Sequence, residues 1–239
     1  VVNKRGVGAF QQEDLDLLTT LSDQAASTVE LVRLSEENAE NQRLEQELKL
    51  AHDIQQMLLP SYNPQPDDFS IAAFSAPALE VGGDYYDFIW VDEAKKHLGI
   101  AIADVSGKGI PGALIMAVVR CTMRATAAGN FSPRDVLIRV NERVYADTGE
   151  NVFVTITYGI LDVESRRFTF ARAGHEPLVM VGASSSIQLT APTGIAMGLV
   201  ESDMFSILEE TTVTFTPGDT AILYTDGVVE AMDKQHNEY

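Results

Sequence analysis

The chain has 239 residues, 45% of them apolar, enough for one well-filled core and an appendage but not for two full-sized enzyme domains. Its formal net charge of −18 repels polyanions and leaves no basic footprint for nucleic acid or an anionic membrane. A single cysteine, Cys121, excludes an internal disulfide framework and a cysteine-rich metal site and fits a reducing, cytoplasmic compartment, while no apolar run approaches the ~20 residues of a spanning helix and no signal-peptide pattern opens the sequence.

Residues 1–10 read as the tail of a strand. From Glu13 to Leu59 there is neither proline nor glycine and helix formers dominate, which predicts one nearly continuous helix of roughly 70 Å. Leu21, Ala25, Thr28 and Val32 follow alternating four and three spacing, and Leu44, Leu48, Ala51, Gln55 and Leu58 do so again in another phase, so a coiled-coil seam is broken by a phase shift near residues 36–43. The middle, SEENAENQRLEQE, is polar on all faces. That favours a homodimeric signalling helix over the alternative, an amphipathic helix lying on its own domain.

Pro60, Pro64 and Pro66 end the helix and open the next domain. Strands are predicted at Phe69–Ala76, Tyr85–Val91, Leu98–Ala103, Val152–Leu161, Arg167–Ala173, Leu178–Val181, Thr211–Phe215 and Thr220–Thr225. Two helices, about Pro111–Ala127 and Pro133–Tyr145, fall between the third and fourth strands, each with proline near its first turn. Short turns join the later strands, so the sheets should be largely antiparallel. The class is α+β, an antiparallel β-sandwich with helices packed outside.

Two segments share one design, in which an apolar strand runs to an aspartate followed by a glycine-containing turn: LGIAIADVSGKG at Asp104 and TAILYTDG at Asp226. A third acid, Asp84, follows Gly82 and Gly83 in VGGDYYDF at the head of a strand. Aspartate beside glycine is ordinary turn chemistry, and Asp87 and Asp219 are read that way. Three acids delivered to strand ends would repel one another unless a cation neutralised them, and hard divalent ions such as magnesium or manganese take such oxygen ligands.

Taken in order and at these intervals, GGDYYDF, ADVSGKGIPGAL, ARAGHEPLVM, TGIAMGL and FTPGDTAILYTDGVVEA resemble the bacterial type-2C (PPM-type) metal-dependent serine phosphatases of the SpoIIE and RsbU kind. The resemblance covers about residues 45–239. It implies α-β-β-α layers and a centre of two divalent ions, manganese or magnesium, with Asp84, Asp104, Asp226 and the backbone carbonyl of Val105 as ligands and the three aspartates acting in catalysis through bound metal and water. Animal-type members carry a histidine where Ser106 stands, so no general acid is assigned. A further metal-binding aspartate of the family has no match after Asp226, and the expectation is that it lies beyond Tyr239. GVGAFQQEDLDLLTTLSDQAASTVE resembles the last strand and helix of a GAF sensor domain, and LAHDIQQMLLP the helix preceding such phosphatases.

These readings divide the chain into a sensor remnant (1–34), a coiled-coil signalling linker (35–66) and a phosphatase domain (67–239). By analogy the substrate is a phosphorylated signalling protein, an anti-sigma-factor antagonist, with no nucleic-acid or membrane partner. The alternative is a catalytically silent dimeric signalling scaffold. His175 in AGHEP matches a family motif and equally fits a turn histidine beneath a hairpin. Lys108 lacks the spacing of a nucleotide loop, and Met116, Met123 and Met197 read as core filler.

Overall fold

The computed structural model describes residues 11–76, 81–107, 109–147 and 152–233. The expected strand tail at residues 1–10 lies outside the described residues, as does Lys108. The chain forms two units, Val1–Leu50 and Ala51–Tyr239.

Helix α1 runs without a break over Gln12–Leu58, as its composition requires. In the first unit it carries the ion pairs Arg33–Glu37 (3.6 Å) and Arg43–Glu47 (3.0 Å) one turn apart. Leu15, Leu18, Leu21, Val29 and Val32 stand exposed, with no second element in this unit among the described residues to cover them.

The last turns of α1 belong to the second unit and behave differently. Gln55 is buried, and Leu58 and Leu59 pack against the main core. From Ala51 onward, Gln55 and Leu58 of the second predicted seam therefore pack on the chain's own domain. The cause is a polar one: the Gln55 amide donates to the Gly82 carbonyl at 2.6 Å and accepts the Gly82 amide at 3.1 Å. One glutamine side chain thus satisfies both backbone groups of a residue that forms no ladder.

Five strands make the larger sheet, in the order β1 (Tyr85–Trp90), β2 (His97–Val105), β3 (Val154–Asp162), β4 (Arg167–Ala173) and β7 (Glu210–Thr214), all antiparallel. The smaller sheet is β6 (Ile187–Thr190), β5 (Leu178–Val181) and β8 (Thr220–Ile222). Helices α2 (Ile110–Ala127) and α3 (Pro133–Asp147) contact the larger sheet. Two single turns, α4 (Ser202–Phe205) and α5 (Asp226–Val229), complete the described elements.

Alternation along the strands separates two cores. Ala101, Ala103 and Val105 of β2 join Met116, Val119, Met123, Leu137 and Val140 beneath the helices. Leu98 and Ile100 join Leu161, Phe168, Phe170, Leu178 and Met180 in a second cluster that includes residues of the smaller sheet. Among the described residues α2 is the one helix long and apolar enough to cross a bilayer, and one face of it is buried in the first of these cores.

Two expectations are corrected. Phe69–Ala76 is not a strand: Gln65 takes both backbone groups of Ile71 with its side-chain amide (2.7 and 3.3 Å), and Phe69 is held edge-on against Phe215, so side chains anchor the segment where a ladder was expected. The strand predicted to run from Thr220 to Thr225 stops at Ile222, and Asp226 opens the turn α5. The chain also leaves the larger sheet after β4: Gly174, with φ of 72°, turns it so that β5 pairs in the smaller sheet and β7 takes the place beside β4.

Candidate metal centre

Register alone brings two of the predicted acids together. Tyr85 pairs with Ala103, so one step further Asp84 stands opposite Asp104, and Asp104 in turn pairs with Thr155 of β3. Alternation puts Asp104 on the same face as Ile100 and Ile102, toward the second core, at the end of the strand. The two carboxyl groups interact directly, and the interaction raises Asp104 while opposing the rise at Asp84. Asp104 is pushed up to about 6, chiefly by burial and then by the charges of Asp226 and Asp84. Burial is also the main cause raising Asp84, opposed by the Thr225 hydroxyl, which donates to Asp84 Oδ2 at 3.1 Å.

Asp226 sits one residue after Thr225 and acts on both acids through space. Among the described residues no three acid, histidine or cysteine side chains close around one point, so Asp226 joins the site by charge and not by contact. Glu230, one turn beyond Asp226, also raises Asp104. It was missed in the sequence, where only its spacing of four from Asp226 within a helical turn could have shown it.

Gly83 is required where it stands. A Cβ there would overlap the Val105 carbonyl oxygen and lie 3.0 Å from Asp104 Oδ1. The crowded carboxylates, a backbone carbonyl beside them and an approach that any side chain would fill suit a hard divalent cation, which would relieve the repulsion that raises Asp104.

The other candidates are placed as follows. Ser106 Oγ accepts the Phe153 amide at 2.7 Å, and the Ser106 amide donates to the Phe153 carbonyl at 2.9 Å, so its hydroxyl is engaged with the chain leading into β3. His175 is buried at the turn after β4, its Nδ1 2.9 Å from Thr155 Oγ1, and is pulled down to about 4 by burial and then by Arg172. Asp87, read as a turn acid, is instead fully buried: Arg124 of α2 grips it with two bonds of 2.6 Å and the Tyr85 hydroxyl donates to it at 3.0 Å. Its inward parity with Tyr85 and Ile89 was the available signal. Asp219 remains a turn acid, accepting the amides of Thr216 and Ala183. A cavity of about 630 Å³ opens beside the acids, with Asp84, Tyr86, Ile102, Phe74, Phe215 and Thr225 in its wall.

An antiparallel two-sheet sandwich with paired acids at its strand ends is the architecture of PP2C-type phosphatase domains. The solved SiaA-PP2C domain of Pseudomonas aeruginosa shares this fold, with a TM-score of 0.65 at 21% identity over 83% of this chain and 78% of that one. Residues 94–239 match the family of Stage II sporulation protein E (SpoIIE), and the chain belongs to that family. It is 32% identical over 190 residues to the phosphoserine phosphatase RsbU of Bacillus subtilis (strain 168), a match covering 79% of this chain and 55% of that protein. It is 28% identical over 190 residues to the phosphoserine phosphatase RsbP of the same organism, covering 77% and 45%. The chain spans about half the length of the curated relatives it matches. Phosphatases of this family are metal-dependent.

Proposed function

We propose that the second unit is the catalytic domain of a metal-dependent protein serine/threonine phosphatase. The observation that carries this reading is the register that sets Asp84 against Asp104 and leaves Asp104 with a raised pKa near Asp226. Asp84, Asp104, Asp226 and the Val105 carbonyl would hold two divalent ions, manganese or magnesium. Such ions supply Lewis-acid stabilisation of phosphoryl charge and a more acidic water. The chain's own contribution is to hold the acids: Thr225 orients Asp84, and the β2–β3 ladder fixes Asp104. With Ser106 engaged and His175 neutral, no side chain here is assigned to protonate the leaving serine oxygen, and solvent takes that role.

The relatives named phosphoserine phosphatase support a phosphoprotein substrate, and we infer a cytoplasmic anti-sigma-factor antagonist for this chain. The proposed organisation is a sensor remnant at 1–34, a linker at 35–66 and the phosphatase domain at 67–239. The exposed apolar positions of α1 support dimerisation through the helix, which would carry a signal from the sensor.

The test is manganese-dependent hydrolysis of a phosphoserine protein and of an aryl phosphate by the full-length protein, beside Asp104→Asn and Asp226→Asn. Hydrolysis that needs metal and disappears in both variants is the expected result. A folded, metal-supplied protein with no turnover on either substrate would make the domain a signalling scaffold.

A further inference from the structure

His175 is almost wholly enclosed, yet nothing in the proposed chemistry uses it. Its position is unusual in one respect: it touches both segments that deliver the acids. On one side its Nδ1 meets Thr155 Oγ1 at 2.9 Å, and that same hydroxyl lies 3.4 Å from the carbonyl oxygen of Asp104, with which Thr155 is paired across the ladder. On the other side the ring lies against the backbone of Tyr224, two residues before Asp226 and next to Thr225, whose hydroxyl holds Asp84. Nε2 has no partner at hydrogen-bonding geometry although it is buried.

The turn that puts the imidazole there is itself constrained. Gly174 adopts φ of 72°, and a Cβ on it would lie 2.9 Å from the Ala196 amide nitrogen, so only glycine fits. Arg172 donates from Nη1 to the His175 carbonyl and from Nε to that of Pro192 at 3.3 Å, which locks the turn to the 190s segment. A buried ring held this firmly does more than fill space, because a well-packed aliphatic residue would fill it without burying two ring nitrogens.

We propose that His175 is a positioning residue for the acid site, a wedge that fixes the Asp104 end of β2, through Thr155, relative to the Tyr224–Asp226 segment. It touches no substrate. Its effect is on the spacing of the acids and so on the affinity for the divalent ion. This rests on the metal-centre reading above.

The experiment measures manganese binding to the full-length protein by titration calorimetry, with turnover measured separately across manganese concentrations. Thr155→Val keeps the shape of Thr155 and removes its hydroxyl, Thr155→Ser restores the hydroxyl, and His175→Ala removes the ring. Loss of such supporting contacts costs metal sites about tenfold or more in affinity, so Thr155→Val and His175→Ala should each weaken binding by about tenfold while Thr155→Ser stays near the parent. The double variant should be no weaker than the worse single one, since both act through one contact. Turnover at saturating manganese should change less than the manganese concentration needed to reach it. Unchanged affinity in Thr155→Val, or losses that multiply to about a hundredfold in the double variant, would overturn the proposal. Asp104→Asn separates the two readings: if it abolishes binding while Thr155→Val does not weaken it, only the positioning role fails, whereas parent-like binding by Asp104→Asn would remove the metal site itself.

Discussion

Two titrating groups, one buried and one half-buried, should pull the acid stability of the metal-free protein in opposite directions, and removing either should expose the other. His175 is held near 4 in the fold against an ordinary 6.5, so between those values the unfolded chain binds a proton that the folded chain refuses. Stability from this group is fully present above about pH 6.5 and is lost as pH falls toward 4, by about 3 kcal/mol at 1.36 kcal/mol per unit. Asp104 has the reverse sign. Its folded value is about 6 against an ordinary 3.8, so the folded chain holds the extra proton and stability falls as pH rises from about 4 to 6. The undiscounted cost is similar, but Asp104 is only half buried and solvent screening reduces it to about 1 kcal/mol. Asp84, also raised, adds to the same side. The parent should therefore gain about 2 kcal/mol or less between pH 4 and 6.5, Asp104→Asn about 3 kcal/mol, and His175→Gln should lose stability over the same range. Urea denaturation at half-unit steps with a chelator present reads all three. Asp92, Asp162 and Asp219, whose values are lowered, act below this window. Parallel profiles for Asp104→Asn and His175→Gln would refute the argument, since the two variants must differ in the sign of their slopes.

Gln55→Leu keeps the bulk of the clasp but strands the Gly82 amide and carbonyl, and should destabilise the second unit by about 2 kcal/mol, read as a lowered denaturation midpoint with unchanged slope. Gly83→Ala forces a methyl group against the Val105 carbonyl, and should cost about 2 kcal/mol and weaken manganese binding in a calorimetric titration. Asp87→Asn breaks a two-pronged bond to Arg124 at a fully buried position and should cost about 3 kcal/mol by thermal unfolding, with the far-ultraviolet spectrum of the folded state unchanged.

How far the sequence could be read depends on whether an element's structure is decided locally. Helix α1 was legible because 47 residues without a breaker leave the backbone one choice. Strands β1–β4 were legible because they are apolar, strand-forming runs and short turns close the β1–β2 and β3–β4 hairpins. The stretch 69–76 reads as a strand by the same rule and is not one, because Gln65 and Phe215, distant in pattern though not in space, satisfy it with side chains. The smaller sheet's β6 was missed since Ile187 and Leu189 are exposed and follow a run of serines. Asp84 and Asp104 could be named as a pair from the glycines around them, but the reason they meet, a register carried one step past the ladder, could not. Asp87 was misjudged because its partner, Arg124, is 37 residues away on a helix.

The centre's rigidity and its electrostatic tension are linked. Three contacts hold the acids from different sides: the end of α1 through Gln55 at Gly82, helix α2 through Arg124 at Asp87, and Thr225 at Asp84. Each of the first two has one buried partner, Gln55 or Asp87, and lies within three residues of Asp84. Without them the simplest response to like charge would be for Asp84 to swing away from Asp104, which would lower the pKa of Asp104 toward its ordinary value. The β1–β2 register, carried one step past Tyr85–Ala103, keeps the two acids opposite one another, and burial with their mutual charge raises Asp104. A divalent ion held by the acids would relieve that repulsion, so the metal should stabilise the protein. By mass action, about 2.7 kcal/mol of stabilisation is expected at a hundredfold excess over the dissociation constant. In a variant such as Gln55→Leu, in which the Asp84 loop can relax, less of that repulsion is stored, metal binds more weakly, and the shift at the same metal concentration should be smaller.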